Sequence, residues 1–120
     1  MKKILFILLL FVQVYSDNNI TIIQKLSFEC DIGQSNSCVE LAEIYFKDVN
    51  KNINYKKAAY FYEKACDYNN KYGCYNLGVM YRYGCNSVDR LADYEKALLF
   101  YTKACKLGKK IILLVKLCKI

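Results

Sequence analysis

Along residues 38–45 and 74–81 the chain sets apolar side chains at i, i+3, i+4 and i+7. The first stripe is Cys38, Leu41, Ala42 and Tyr45; the second is Cys74, Leu77, Gly78 and Tyr81. That period predicts a helix with one buried stripe. A longer run, 94–107, aligns Tyr94, Ala97, Leu98, Tyr101 and Ala104 in the same way. Polar links rich in Asn, Ser and Gly separate the runs, DIGQSNS at 31–37 and DYNNKYG at 67–73, and these predict turns. The expected elements are a lone helix at about 20–31, a helical hairpin at 38–67, a second hairpin at 74–107, and a tail without the pattern. Small residues (Ala42, Gly78, Ala58, Ala97, Ala65, Ala104) alternate with aromatic ones, so neighbouring helices can approach closely while rings fill the remaining space.

The hairpins are copies of one another. At an offset of 36, Cys30 falls on Cys66, Cys38 on Cys74, Leu41 on Leu77, Ala42 on Gly78 and Tyr45 on Tyr81. At an offset of 39, YKKAAYFYEKAC (55–66) falls on YEKALLFYTKAC (94–105), the second unit holding three extra residues within 83–93. Self-similarity at this period marks a repeat array, in which no unit buries its own apolar face and stacking does so instead. The predicted fold is all-α, a short right-handed α–α superhelical solenoid of disulfide-stapled hairpins. Its expected parts are a leader at 1–16, a half-repeat helix at 17–37, repeats at 38–73 and 74–112, and a diverged or truncated tail at 113–120.

The leader reading rests on Lys2 and Lys3, the apolar run at 4–12, and Val14 and Ser16 placed as the −3 and −1 residues of a cleavage site before Asp17. This is the pattern of a secretory signal peptide. Nine unbroken apolar residues fall well short of the ~20 that span a bilayer, so no stable membrane insertion is expected after cleavage. The protein is read as secreted or periplasmic. The full chain carries 18 Lys and Arg against 11 Asp and Glu, net +7; removing Lys2 and Lys3 leaves +5. These charges are dispersed, with no block of the kind that marks a nucleic-acid tail. DNNIT at 17–21 offers Asn19 as a glycosylation acceptor.

All seven cysteines lie beyond the leader, and in an oxidising compartment that density implies disulfides. Cysteines eight apart in one helix would stand ~12 Å apart along its axis, whereas a disulfide needs Cα atoms roughly 4.4–6.8 Å apart. Cys30–Cys38 and Cys66–Cys74 therefore bond only if the chain turns between them. The two polar links offer that turn through Gly33 and Asn36 in one, and Asn69, Asn70 and Gly73 in the other. A zinc site is disfavoured, since the chain has no histidine and lacks short Cys-x2-4-Cys spacing; no metal or cofactor is expected. Of the remaining cysteines, Cys105 with Cys118 makes a third bridge and leaves Cys85 unpaired; Cys85 with Cys118 is the alternative.

Units of the form C-x2-L-[AG]-x2-Y followed by Y-x-K-A-x2-[FY]-Y-x-K-A-C resemble Sel-1-like repeats, relatives of TPR helical hairpins. The cysteine closing one unit and the next eight residues on resemble the secreted, cysteine-rich Hcp-type branch of epsilon-proteobacteria. The resemblance covers about residues 22–108 and departs from the pattern at Asp48 and Asn50, where loop glycines would fall. It implies a solenoid, and an attributed penicillin binding with slow β-lactam hydrolysis, the basis of the β-lactamase label. The residues themselves name no catalytic group. Ser16, Ser27, Ser35, Ser37 and Ser87 are followed three positions on by Asn19, Cys30, Cys38, Glu40 and Arg90, so Ser-x-x-Lys is absent, as is Lys-Thr-Gly. Glu63 and Glu95 read as solvated helix charges. The expected partner on the concave face is a β-lactam, a peptidoglycan-like ligand or a protein. The alternative to the enzyme is a non-enzymatic protein- or peptide-binding scaffold, including a truncated paralogue. Tyr60, Lys64, Tyr75 and Asn76 are the positions to probe.

Overall fold

The computed structural model describes residues 2–7, 21–47, 53–85 and 91–108. Five helices follow one another: α1 (Ile22–Asp31), α2 (Ser35–Phe46), α3 (Tyr55–Asp67), α4 (Lys71–Tyr83) and α5 (Tyr94–Lys106). Residues 2–7 are helical too. Ile4, Leu5, Phe6 and Ile7 there are exposed and belong to no part of the core. The leader's cleavage point and Asn19 lie outside the described residues. Among the described residues no helix is long and apolar enough to cross a membrane.

Each helix packs on its chain neighbours, and α2 also touches α4, as expected of stacked units. The core runs as three successive clusters. Cys30, Cys38 and Ala65 form the first, Ala42, Ala58, Tyr62, Leu77 and Met80 the second, and Cys66, Cys74, Ala97, Tyr101 and Ala104 the third. The stripe residues at 38, 41 and 42 and at 74, 77 and 78 are buried, while Tyr45 and Tyr81 are half-buried.

Each hairpin is closed by the same set of contacts, one repeat apart. Asn54 caps α3 by accepting from the Lys57 N–H at 3.0 Å, and Asp93 caps α5 by accepting from the Lys96 N–H at 3.0 Å. The N–H groups of the same two caps donate back to Tyr45 O (2.9 Å) and Tyr81 O (2.8 Å). Tyr45 then stacks on Phe61 at 5.7 Å, and Tyr81 on Phe100 at 5.5 Å. Lys57 and Lys96 lie over the tyrosine rings at 5.1 and 5.3 Å, an attraction of the ammonium to the ring quadrupole.

Two sequence expectations are corrected. First, α2 and α4 begin at Ser35 and Lys71, three residues ahead of the cysteines at which the apolar stripes start. Their first turns are polar because only the stripe, and not the helix as a whole, must be apolar. Gly73 therefore lies within α4 and not in a bend. A Cβ there would stand 2.6 Å from Ala65 Cβ, 2.9 Å from Cys66 N and 3.0 Å from Tyr62 O, so the residue is glycine because α3 passes too close for anything larger. Second, Tyr94 and Leu98 are 70% and 47% exposed despite sharing the predicted stripe with the buried Ala97, Tyr101 and Ala104. A stripe is buried only where another element lies against it, and no described element covers that edge of α5.

Candidate functional site

The units meet at corners, and the corners carry the most specific chemistry. Cys30 bonds Cys38 across Cα atoms 4.7 Å apart, and Cys66 bonds Cys74 across 4.5 Å. All four cysteines are fully buried, which shields the sulfur atoms from reductants and substrates alike. The chain reverses through a left-handed residue at both corners, Gly33 (φ 96°) and Asn69 (φ 61°), and Gly108 (φ 99°) holds the equivalent position after α5. Asparagine tolerates this conformation better than other side chains bearing a Cβ.

Asn70 follows as the cap of α4. Its Oδ1 accepts from the N–H groups of Tyr72 (3.0 Å) and Gly73 (3.3 Å), and its Nδ2 donates to Ser35 Oγ (3.1 Å) and Asn36 Oδ1 (2.9 Å) on the first turn of α2. One buried amide thus caps its own helix and ties two units together. Replacing it by alanine is expected to cost about 1–2 kcal/mol, from the lost cap and the partners left unsatisfied. Asn70→Asp, which keeps the cap acceptor but not the donor, is expected to cost less. Urea unfolding followed by circular dichroism ranks the two variants.

Beside this link opens a groove of about 300 Å³ lined by Ser35, Asn36, Asn69, Asn70, Lys71, Tyr72 and Leu107. Its walls are the first turns of α2 and α4 and the chain just past α5. Amides and a hydroxyl supply both donors and acceptors, Lys71 a positive charge, and the exposed Tyr72 an aromatic face with the Lys71 ammonium 5.4 Å from its centroid. Such a lining suits a ligand with alternating N–H and C=O groups.

None of the four probe positions lines this groove. Tyr75 is half-buried and packs on Tyr101 at 5.7 Å, and Asn76 is half-buried on the same helix. Lys64 is engaged by Asp31. Tyr60 remains exposed, edge-on to Phe61 at 5.0 Å. Sequence reasoning overlooked Ser35, Asn36, Asn70, Tyr72 and Leu107 as a group. The available signal was that GQSN (33–36) and NNKY (69–72) occupy the same register of successive corners. It also missed Ser37, whose buried hydroxyl donates to Glu29 at 2.7 Å. Glu63 and Glu95 are exposed. Cys85 is a half-buried free thiol, Cys105 is disulfide-bonded, and Cys118 lies outside the described residues. Among the described residues no three His, Cys, Asp or Glu side chains cluster as metal ligands.

Titration makes the fold sensitive to alkali. Burial, reinforced by the nearby Glu43 carboxylate, pushes Tyr62 up to about 12. Tyr101 is raised chiefly by burial, and Lys64 by its hydrogen bond to the Asp31 carboxylate. In the unfolded chain these groups titrate near 10–10.4. The folded state therefore holds protons that the unfolded state has released, and stability that is complete below pH ~10 falls as pH rises toward 12. Urea unfolding of protein alkylated at Cys85, between pH 8 and 12, is expected to show this fall, and Tyr62→Phe to flatten it.

Residues 35–70 and 71–109 each match the Sel1 repeat. Among solved structures, the Helicobacter pylori cysteine-rich protein B is similar at 30% sequence identity and a TM-score of 0.67, over 81% of this chain and 67% of that one. No curated protein sequence matches.

Proposed function

The chain belongs to the Sel1-repeat family, as a cysteine-rich helical-repeat protein, and from that premise we propose that it is an exported scaffold binding a peptide or protein segment at the corner groove. The observation that carries this reading is the groove lining: Asn36, Asn69 and Asn70 with Ser35, Lys71 and an exposed Tyr72. Side-chain amides pair with peptide N–H and C=O groups, the tyrosine ring takes an apolar side chain, and Lys71 takes a carboxylate. The corner is held by buried disulfides and the Asn70 link, so little order has to be acquired on binding. Buried disulfides also fit an extracytoplasmic compartment, in keeping with the leader-like N-terminus.

The test is selection from a displayed random-peptide library on the oxidised protein. Enriched sequences that lose binding at least tenfold to both Tyr72→Ala and Asn36→Ala are expected. Absence of enrichment, or binding indifferent to both substitutions, overturns the assignment.

The β-lactam hydrolysis implied by the Hcp-type resemblance has weaker support. Ser37 pairs with a carboxylate but is 7% exposed and already hydrogen-bonded, so a substrate carbonyl has no approach to it. Hydrolysis of a chromogenic cephalosporin by the purified oxidised protein is expected to equal that of buffer. Turnover lost on reduction would reverse the order of the two readings.

A further inference from the structure

The hydrogen bonds at the corner groove fix which way its amides point. Asn70 Oδ1 meets two backbone N–H groups, of Tyr72 at 3.0 Å and Gly73 at 3.3 Å. A backbone N–H only donates, so the atom facing α4 must be the amide oxygen, and the atom facing α2 must be Nδ2. That nitrogen stands 2.9 Å from the Asn36 amide and 3.1 Å from Ser35 Oγ. It donates to both. Asn36 therefore turns its oxygen toward Asn70 and keeps both Nδ2 hydrogens, while Ser35 keeps its hydroxyl proton.

What the groove still offers a ligand is mainly donors. Asn70 has no capacity left, and the oxygens of Ser35 and Asn36 are each engaged once. The unspent groups are the Asn36 amide hydrogens, the Ser35 hydroxyl and the Lys71 ammonium, which forms no ion pair with a described residue. Tyr72, 47% exposed, and the half-buried Leu107 supply the apolar part of the lining. Such a site matches carbonyl oxygens and a negative charge, and has little to accept a ligand N–H.

Two of the common ways of holding a peptide do not fit. Strand addition needs a sheet edge, and the described residues form no strand. A bound helix needs a long apolar trough for anchors at i, i+3 or i+4 and i+7, whereas this lining is polar apart from Tyr72 and Leu107. A polyproline II segment does fit. Proline carries no N–H, its carbonyls point outward without internal hydrogen bonds, and its ring packs on aromatic side chains.

Building on the peptide-binding reading of this groove, we propose that its ligand is a proline-containing segment in the polyproline II conformation, with an acidic residue beside it. Asn36 Nδ2 and Ser35 Oγ donate to the carbonyl oxygens, a proline ring packs on Tyr72 and Leu107, and Lys71 pairs with the acidic side chain. A polyproline II segment arrives with little conformational freedom left to lose. That suits a groove of only about 300 Å³.

Three labelled peptides, capped at both ends, test this by fluorescence anisotropy on the oxidised protein. The first carries Asp-Pro-Leu-Pro-Pro-Asp, the second alanine for each proline, and the third N-methylalanine for each proline. The first and third are expected to bind alike. The alanine peptide, which regains N–H groups and chain freedom, is expected to bind about tenfold more weakly. Lysine in place of aspartate should weaken the first peptide, and Lys71→Glu should reverse that preference. Asn36→Asp keeps the oxygen that Asn70 Nδ2 needs and removes both free donors. Its urea midpoint is expected to hold while binding falls about tenfold.

An alanine peptide that binds as tightly as the proline peptide overturns the polyproline assignment. So do library-selected peptides that need Tyr72 and Asn36 but contain no proline, and these leave the peptide-binding reading in place. Binding undiminished by Asn36→Asp overturns the donor role. If neither the library nor the three peptides bind, both readings of the groove fall together.

Discussion

Replacing Cys66 and Cys74 together by alanine is expected to lower the stability of the fold by about 2–5 kcal/mol, read as a shift of the urea midpoint. With the two cysteines eight positions apart, the restriction placed on the unfolded chain accounts for roughly 2–3 kcal/mol in the chain-entropy picture. The native corner loses more, because both side chains are fully buried and sit in the third cluster beside Ala97, Tyr101 and Ala104. Small domains hold only about 5–15 kcal/mol in total, so the loss is a large share of the whole. The shielded position of the bond adds a kinetic expectation. Reductant under native conditions should cleave it slowly, at a rate limited by opening of the corner, whereas the same reductant in urea should act at once. Fast reduction of the native protein, or an unchanged midpoint in the alanine pair, would contradict the staple.

Leu77→Ala is expected to cost about 2–5 kcal/mol through lost burial and the cavity left behind. Leu77 is 1% exposed and packs with Ala42, Ala58, Tyr62 and Met80, residues drawn from α2, α3 and α4. It therefore fills the seam between the two units, and its loss should uncouple them. Hydrogen exchange is expected to speed up in α4 and α5 more than in α1, since α1 remains stapled to α2 through Cys30–Cys38. A uniform change along the chain would argue against an array stabilised neighbour by neighbour.

How much of this could be read from residue order differs from element to element. The five helices, the hairpin pairing and the two staples all follow from local rules: a 3.6-residue apolar period, the 36- and 39-residue offsets, and the geometric limit that forces a turn between cysteines eight apart. The role of Gly73 was not legible. In sequence it looks like a bend residue, and only the approach of Ala65 and Cys66 shows it to be a contact residue inside a helix. The groove was equally hidden, because Ser35, Asn36, Asn70 and Tyr72 belong to different corners and are polar residues of an ordinary kind until stacking puts them side by side. Tyr94 and Leu98 illustrate the converse: periodicity marks a face as able to be buried, but whether it is buried depends on what lies next to it.

Periodicity and self-similarity, taken alone, determined that this chain is an all-α repeat array and which residues pack within each unit. Helix formation and corner closure depend on residues close together in the chain, and such information survives in linear order. Tertiary structure decided which surfaces remain open and which amides meet across a corner. Those outcomes depend on residues some 35 positions apart, such as Asn70 and Ser35, being brought within hydrogen-bonding distance by the stacking of one unit on the next.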